Sequence, residues 1–238
     1  LSSALMGSLI VGGMNPMLAI LAACFIGMGL GALNGLVIAY GKVAPFIATL
    51  ATMTIYRGLT LVYTNGNPIS GLSDDPLFQN FGQGFIMGLP VPALIMLLAF
   101  AVSWFILRKT PLGRKIYAVG GNEKVSFIAG IKIERVKIFV YAITGFFCAL
   151  AGAVLTSRLN SAQPTAGTGY ELDAIAAVVL GGTSLSGGKG YITGTLVGVL
   201  IIGTLNNGLN ILDVSSFYQQ VVKGIVILLA VLMDRKKA

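Results

Sequence analysis

Long apolar stretches, separated by short polar ones, make up almost the whole chain. The run at residues 93–107 (ALIMLLAFAVSWFIL) is almost continuously apolar and lacks the polar–apolar alternation of a membrane β-strand. Apolar runs of about 20 residues are long enough for a helix to cross a bilayer. The pattern therefore predicts an all-α, polytopic membrane protein with about seven to eight spans. The predicted spans cover residues 1–11, 16–40, 44–64, 89–107, 138–156, 170–185, 191–205 and 217–233.

Glycine patterns distinguish two of these spans. The span at 16–40 contains the run GMGLGALNG, whose small residues favour close contact between helices. The span at 170–185 is interrupted by glycine and is barely long enough to cross. Nonhelical backbone at membrane depth is tolerated only where it is buried in protein or lines a cavity. We therefore expect a broken helix in the second case, which is more typical of a transport pathway than of a passive anchor.

Composition and charge support a membrane location and predict an orientation. The chain is 55% hydrophobic and 10% charged, whereas soluble domains contain about 25% charged residues. Because Lys and Arg collect on the cytoplasmic side, the net charge of +8 does not call for a nucleic acid partner. We expect residues 108–137 and the C-terminus in the cytoplasm and the base-free loop 65–88 outside. Half of the 16 basic residues lie in the first of these segments, namely Arg108, Lys109, Arg114, Lys115, Lys124, Lys132, Arg135 and Lys137.

The residue inventory excludes several kinds of active site. The chain has no His, and its two cysteines, Cys24 and Cys148, lie within apolar stretches. A His-based catalytic triad is therefore excluded, and neither a metal site nor any catalytic residue is predicted. The chain begins at Leu1, inside an apolar stretch and without a signal peptide. We expect that N-terminal spans are missing from it.

The run GGTSLSGGKG at 181–190 resembles nucleotide-binding signatures in two ways. A Walker A loop would need glycine at 183 and Ser or Thr at 190, where this chain has Thr183 and Gly190. The core LSGGK differs by one residue from the LSGGQ signature of ABC-type ATPases. That signature needs a charged ATPase domain around it, and only Asp213 and Asp234 are acidic after Lys189. The run therefore predicts close backbone packing at a helix break, not an ATP site.

The polar stretch GGNEKVSFIAGIKIERVK at 120–137 predicts a short cytoplasmic helix. Asn122 is a suitable N-cap, Glu123 favours the first turn of a helix, and Gly130 is a suitable C-cap. The alternatives are a basic loop that happens to be helical and a docking element for a cytoplasmic partner. An apolar side for such docking is supplied by Val125, Phe127, Ile128 and Ile131.

The order Glu123, then Gly130 seven residues later, then Ile131 resembles the EAA-type loop of ABC-importer permeases. Lys124 and Val125 stand where that motif has two alanines, and the family's N-terminal GIDLSVG-like motif is absent. The resemblance extends over most of the chain and is to the ribose-type sugar permeases of the branched-chain amino acid/sugar permease family. It is carried by GKVAPFIATLATMTIYRGLTLVYTNGNPI, PLGRKIYAVGGNE, SAQPTAGTGYELDAIAAVVLGGTSLSGGKG and NNGLNILDVSSFYQQVVKGIVILLAVLMD.

The resemblance implies a type II ABC-importer-like permease in the bacterial inner membrane, with about ten spans in the intact family member. The implied partners are a second permease copy in a homodimer, an ABC ATPase subunit and a periplasmic sugar-binding protein. ATP and Mg²⁺ would bind to the ATPase, so that this chain holds no cofactor. The implied substrate is a sugar, with ribose favoured. The residues that would couple to the ATPase are Asn122, Glu123, Lys124, Phe127, Gly130 and Ile131.

Polar side chains in or near the spans are candidates for contacts with a passing sugar or with the binding protein. Asn34 lies inside a span, where an amide faces either a partner helix or the pathway. Glu171 and Asp173 either pair with Arg158 or Arg57 or contact the binding protein. The remaining candidates, in a predicted loop at 206–216 where capping is the alternative role, are Asn206, Asn207 and Asn210.

Two other transport classes compete with the importer hypothesis. An ion-coupled secondary sugar carrier needs intramembrane acids and two matching halves. Only Glu171 and Asp173 are acids near membrane depth, and no internal repeat is evident. A channel would have no need of the short helix at 122–131.

Overall fold

The computed structural model describes residues 1–235 and divides into two compact units. The first unit consists of Leu1–Ala99 and Lys132–Ala166, and the second of Phe100–Ile131 and the chain from Gly167 onward. The last residues of the basic C-terminal tail, 236–238, lie outside the described part of the chain.

Helices dominate the described residues. They are α1 Ser2–Val11, α2 Pro16–Gly41, α3 Pro45–Thr64, α4 Pro76–Gln83, α5 Val91–Lys109, α6 Pro111–Gly121, α7 Glu123–Ile128, α8 Ile133–Leu159, α9 Tyr170–Leu180, α10 Ile192–Ile211 and α11 Ser216–Arg235. Four two-residue strands form two antiparallel pairs, β1 (Ile69–Ser70) with β4 (Ser161–Ala162) and β2 (Phe85–Ile86) with β3 (Leu89–Pro90). Within residues 1–235, α2, α3, α5, α8 and α10 are long and apolar enough to cross a membrane. The prediction of a helical, polytopic membrane protein is confirmed.

Glycines allow α2 and α8 to approach closely in the first unit. Gly27, Gly31 and Gly35 recur every fourth residue and therefore share one face of α2. A Cβ on Gly35 would lie 2.7 Å from the Ile138 Cα of α8, and one on Gly145 would lie 3.0 Å from the Gly31 Cα. Side chains at these positions would force the helices apart. The close helix contact predicted from GMGLGALNG is confirmed.

A short helix, α4, lies in the segment 65–88 that the sequence predicts to be a loop. Asp75 caps it by accepting a hydrogen bond from the Leu77 backbone N–H at 2.9 Å, and Pro76 occupies its first turn. Phe78 is fully buried, and its carbonyl oxygen accepts a hydrogen bond from the Ser157 hydroxyl of α8. The loop prediction is wrong for residues 76–83. Asp75 and Pro76, which are common in turns, also start a helix, and the buried Phe78 holds that helix in place.

The second unit contains the broken segment that the sequence predicts. Helix α9 has 11 residues, about 16 Å at 1.5 Å per residue, or about half the thickness of the hydrocarbon core. It ends because Gly182 has a φ of +84°, which lets the N–H groups of Gly182 and Thr183 bond to carbonyls of the last turn. The segment from there to Tyr191 is a turn. The prediction of a break is confirmed.

Helix α10 continues through part of the predicted loop 206–216. It ends only at Ile211, where Asp213 adopts a φ of +52° and the Val214 N–H bonds back to the Leu209 carbonyl. The loop prediction is therefore wrong for Asn206, Asn207 and Asn210, which lie in the last turns of the helix. Tertiary hydrogen bonds described below offset the low helix propensity of asparagine.

Candidate functional site

Helix α7 has both of its predicted caps. The Asn122 side chain accepts a hydrogen bond from the Val125 N–H at 3.0 Å, which satisfies one of the first-turn donors. At the other end Gly130 has a φ of +79°. Its N–H bonds to the Phe127 carbonyl, and the Ile131 N–H bonds to the Ser126 carbonyl, a Schellman motif. Two purely local signals therefore set both ends of this helix.

The apolar side chains of α7 are exposed. Val125, Phe127 and Ile128 are 60%, 68% and 84% accessible, whereas Ser126 is buried at 4%. The helix has six residues and carries Glu123 and Lys124 in its first turn, so it does not cross a bilayer. The exposed apolar surface formed by Val125, Phe127 and Ile128 is called the α7 face below.

The end of α6, directly before α7, packs against the turn at 181–191. The Tyr117 hydroxyl donates a hydrogen bond of 2.8 Å to the Gly190 carbonyl. A Cβ on Gly120 would lie 3.0 Å from the Gly188 backbone N, and one on Gly188 would lie 2.6 Å from the Gly121 Cα. Backbone therefore touches backbone, and at Gly188 a side chain does not fit without a shift of the backbone. The prediction that GGTSLSGGKG serves close backbone packing is confirmed.

The same turn joins two helices that are themselves in close contact. Ala177 on α9 lies against Gly198 on α10, and Gly181, the residue that follows α9, lies against Gly194. A Cβ on Gly181 would lie 2.5 Å from the Gly194 carbonyl carbon, so neither glycine tolerates a larger residue. The buried residues Ala176, Ala177 and Ile202 complete this contact. The turn therefore connects two helices that pack closely against each other.

An ionic cluster lies among α9, α10 and α11. The Lys223 ammonium is 2.9 Å from the Asp173 carboxylate, and the Asn206 amide N–H donates to the same carboxylate oxygen at 3.3 Å. Both charged side chains are about one-fifth accessible, at 21% for Lys223 and 20% for Asp173. The second oxygen of Asp173 and the side-chain oxygen of Asn206 are buried without a hydrogen-bond partner. The cluster thus joins three helices and leaves two buried acceptor atoms without a hydrogen bond.

The other predicted site residues are distributed over both units. In the first unit, the Tyr56 hydroxyl lies 3.2 Å from the Leu30 carbonyl and 3.3 Å from the Asn34 side-chain oxygen. This contact joins α2 to α3 and supports helix packing as the role of Asn34. In the second unit, the Glu171 carboxylate accepts a hydrogen bond from the Gly169 N–H at 2.9 Å. Asn207 is exposed, and the Asn210 side chain accepts a hydrogen bond from Gln219 at 2.9 Å.

The sequence analysis missed two residues of this region. The sequence left two roles open for Asp173, pairing with Arg158 or Arg57 or contact with the binding protein; its ion-pair partner in the structure is Lys223. The signal was present, because a lysine inside a predicted span is a candidate functional residue by itself. Tyr117 gave no such signal, since its partner Gly190 is 73 residues away in the chain.

Comparison of the sequence with known proteins identifies the family of this chain. The chain belongs to the branched-chain amino acid transport system/permease component family, which it matches over residues 1–231. It is therefore a permease component with several membrane-spanning helices. The resemblance to ribose-type sugar permeases is confirmed by the relatives below.

Three relatives indicate the position of the chain within this family. It is 68% identical over 238 residues to the ribose import permease protein RbsC of Bacillus subtilis, covering all of this chain and 74% of that protein. It is 53% identical over 239 residues to the protein of the same name from Escherichia coli K12, again covering all of this chain and 74% of that protein. The D-allose transport system permease protein AlsC of E. coli K12 is 44% identical over 236 residues, 99% of this chain and 72% of that protein. No solved structure matches the chain.

Proposed function

We propose that this chain is the permease subunit of an ATP-driven ABC importer and forms the translocation pathway for ribose. The observation that carries the proposal is the identity of 68% and 53% to two ribose import permeases along the whole chain. The identity falls to 44% for a permease named for D-allose, another sugar. This chain carries no catalytic residues of its own in the scheme, and ATP with Mg²⁺ binds to a separate subunit.

The α7 face is the proposed docking site for the ATPase subunit. Its three exposed apolar side chains are held by caps at Asn122 and Gly130, so the surface is ordered before a partner binds. Preorganisation reduces the entropy lost on docking. Lys124 and Glu123 border the face and Ile131 follows the C-cap, which completes the proposed coupling set.

The turn at 181–191 is the proposed relay from the ATPase to the pathway. A push on α7 moves the adjoining end of α6, where Tyr117, Gly120 and Gly121 contact the turn. Because the backbones are in contact without intervening side chains, little of the motion is absorbed. The turn connects α9 to α10, whose far ends carry Asp173 and Asn206.

The proposed assembly is a homodimer of this chain in the bacterial inner membrane, with two ATPase subunits and a periplasmic sugar-binding protein. The α7 face and the C-terminus are cytoplasmic, following the excess of basic residues in 108–137. We further propose that α1, α9 and α11 lie in the bilayer beside the five long apolar helices. With these three the chain has eight proposed spans, within the seven to eight expected from the sequence.

Polar groups at the far ends of α9 and α10 are proposed to meet the sugar or its binding protein. Sugar hydroxyls donate hydrogen bonds, and the spare oxygens of Asp173 and Asn206 are acceptors. Asn207 and Asn210 lie near the same C-terminal end of α10, and Glu171 lies in the first turn of α9. Asn34, whose side-chain oxygen lies 3.3 Å from the Tyr56 hydroxyl, is assigned to helix packing instead.

The experiment is ribose uptake by vesicles that contain this chain with its ATPase subunit, loaded binding protein and internal ATP. We expect uptake only when ATP is present and the ATPase subunit is intact. The control is the same vesicle with an ATPase variant that binds but does not hydrolyse ATP. Uptake driven by a proton or sodium gradient without the ATPase would overturn the proposal in favour of an ion-coupled carrier. Uptake down a ribose gradient with no energy source would indicate a channel.

A further inference from the structure

A cavity of about 420 Å³ lies within the second unit, where α5 ends. It is separate from the α7 face and from the ionic cluster of Asp173. Three elements line it: the end of α5, one residue of α6, and the segment that leads from the turn into α10. Its lining includes Trp104, Leu107 and Arg108 of α5, Tyr117 of α6, and Lys189 and Ile192.

The lining combines cationic and apolar groups in a way that fits an amphipathic anion. Arg108 and Lys189 supply two positive charges, and none of the described residues that line the cavity is acidic. Trp104, Leu107 and Ile192 supply apolar surface on the same cavity. A site for a small hydrated anion alone would have no use for an indole and two aliphatic side chains.

The position of α5 indicates the level at which the cavity lies in the membrane. This helix has 19 residues and is among those able to cross a membrane, so it is about 28 Å long and its ends lie near the two headgroup layers. Arg108 belongs to its last turn, and Trp104 lies one turn earlier, the level at which indole rings prefer the membrane interface. The Lys109 ammonium lies 5.8 Å from the centre of the Trp104 ring, which adds positive charge beside the cavity.

We propose that this cavity binds the phosphate-bearing headgroup of an anionic phospholipid. The phosphate lies between Arg108 and Lys189, and the first acyl segment lies against Trp104, Leu107 and Ile192. Basic pockets at the ends of membrane helices recognise anionic headgroups through such contacts. An excess of cytoplasmic positive charge by itself explains the lysines and arginines of this region but not a cavity that joins them to apolar side chains.

A bound lipid would contact the same backbone that Tyr117 holds. Gly188 and Gly190 line the cavity and are also the points at which the turn touches α6. Occupation of the cavity therefore stiffens the turn without touching the α7 face.

The test is lipid binding by the purified full-length chain in its complex, exchanged into phosphatidylcholine nanodiscs and titrated with phosphatidylglycerol. The retained lipid is counted by native mass spectrometry. We expect the double variant Arg108→Gln/Lys189→Gln to bind phosphatidylglycerol about tenfold more weakly than the parent. The matched control is Arg114→Gln/Lys115→Gln, which removes two exposed charges of α6 that do not line the cavity and should leave binding unchanged.

Three outcomes would overturn the proposal. Equal losses in the two double variants would show a general surface-charge effect. Complete displacement of the lipid by millimolar inorganic phosphate would assign the cavity to a free anion. Equal retention of phosphatidylcholine and phosphatidylglycerol by the parent would remove the requirement for negative charge. If the double variant does not assemble, Lys189→Gln alone, an exposed position in a turn, provides the same comparison.

Discussion

Small residues allow close packing in both the α2–α8 contact and the α9–α10 contact, but the backbone at the two contacts differs. In the first unit, Gly27, Gly31 and Gly35 lie within one continuous helix of 26 residues. In the second unit, Gly181 stands where α9 stops, and Gly182 and Gly188 have positive φ values that a continuous helix does not adopt. The first contact holds two continuous helices together and is called the scaffold below. The second lies beside the turn between two helices and is called the joint; this turn also touches α6. Glycine patterns alone therefore do not tell scaffold from joint; the backbone conformation of the glycines does.

The largest expected effect comes from breaking the scaffold. In Gly31→Leu, the new side chain would meet the Tyr141 backbone of α8 and separate the two helices. We expect a destabilisation of about 3 kcal/mol, or loss of folded protein from the membrane. The matched control is Gly29→Leu, two residues away on the same helix, where a Cβ meets nothing within 4 Å. Thermal unfolding in detergent measures both, and equal stability of the two variants would refute the scaffold role.

The next effect is on docking and should leave folding intact. Phe127→Asp places a charge in the α7 face, and loss of a central apolar anchor typically costs about 2 kcal/mol of binding. We therefore expect about thirtyfold weaker binding of the ATPase subunit, measured by co-purification and titration. The control is Met87→Asp, a fully exposed methionine in the β2–β3 hairpin. Wild-type affinity in the Phe127 variant would mean that the ATPase docks elsewhere.

A smaller effect is expected from the ionic cluster of the second unit. Lys223→Met leaves the Asp173 carboxylate with only the Asn206 amide, and we expect a loss of about 1 kcal/mol in unfolding experiments. Adding Asp173→Asn to this variant should restore part of the loss, because no unpaired charge then remains. If the double variant is less stable than the single one, Asp173 is held by contacts other than Lys223.

Local features of this molecule were predictable and distant ones were not. The caps of α7 follow from Asn122 and Gly130, whose conformations depend on neighbours within five residues. The break after α9 likewise follows from its glycines. By contrast, α4 and the last turns of α10 are stabilised by contacts such as Phe78 with Ser157 and Asn206 with Asp173. These pairs are 79 and 33 residues apart, and local propensity contains no information about them.

Sequence distance between contacting residues also limited what could be predicted of the candidate functional site. The apolar side chains of α7 were identified because their exposure follows from a short, charged, well-capped helix. The contacts of the turn with Tyr117 and Gly121 were not predicted, since they depend on the meeting of two segments that only the fold brings together.

The most direct test of the account is the number of ribose molecules imported per ATP hydrolysed by the reconstituted complex carrying Gly188→Ala. A methyl group there would lie 2.6 Å from the Gly121 Cα, and the φ of +74° disfavours alanine. The control is Gly203→Ala in α10, where a Cβ meets nothing within 4 Å. We predict that Gly188→Ala binds the ATPase normally but imports less ribose per ATP than the parent, by roughly tenfold. An unchanged ratio in folded Gly188→Ala protein, equal to that of the control, would contradict a relay through this turn.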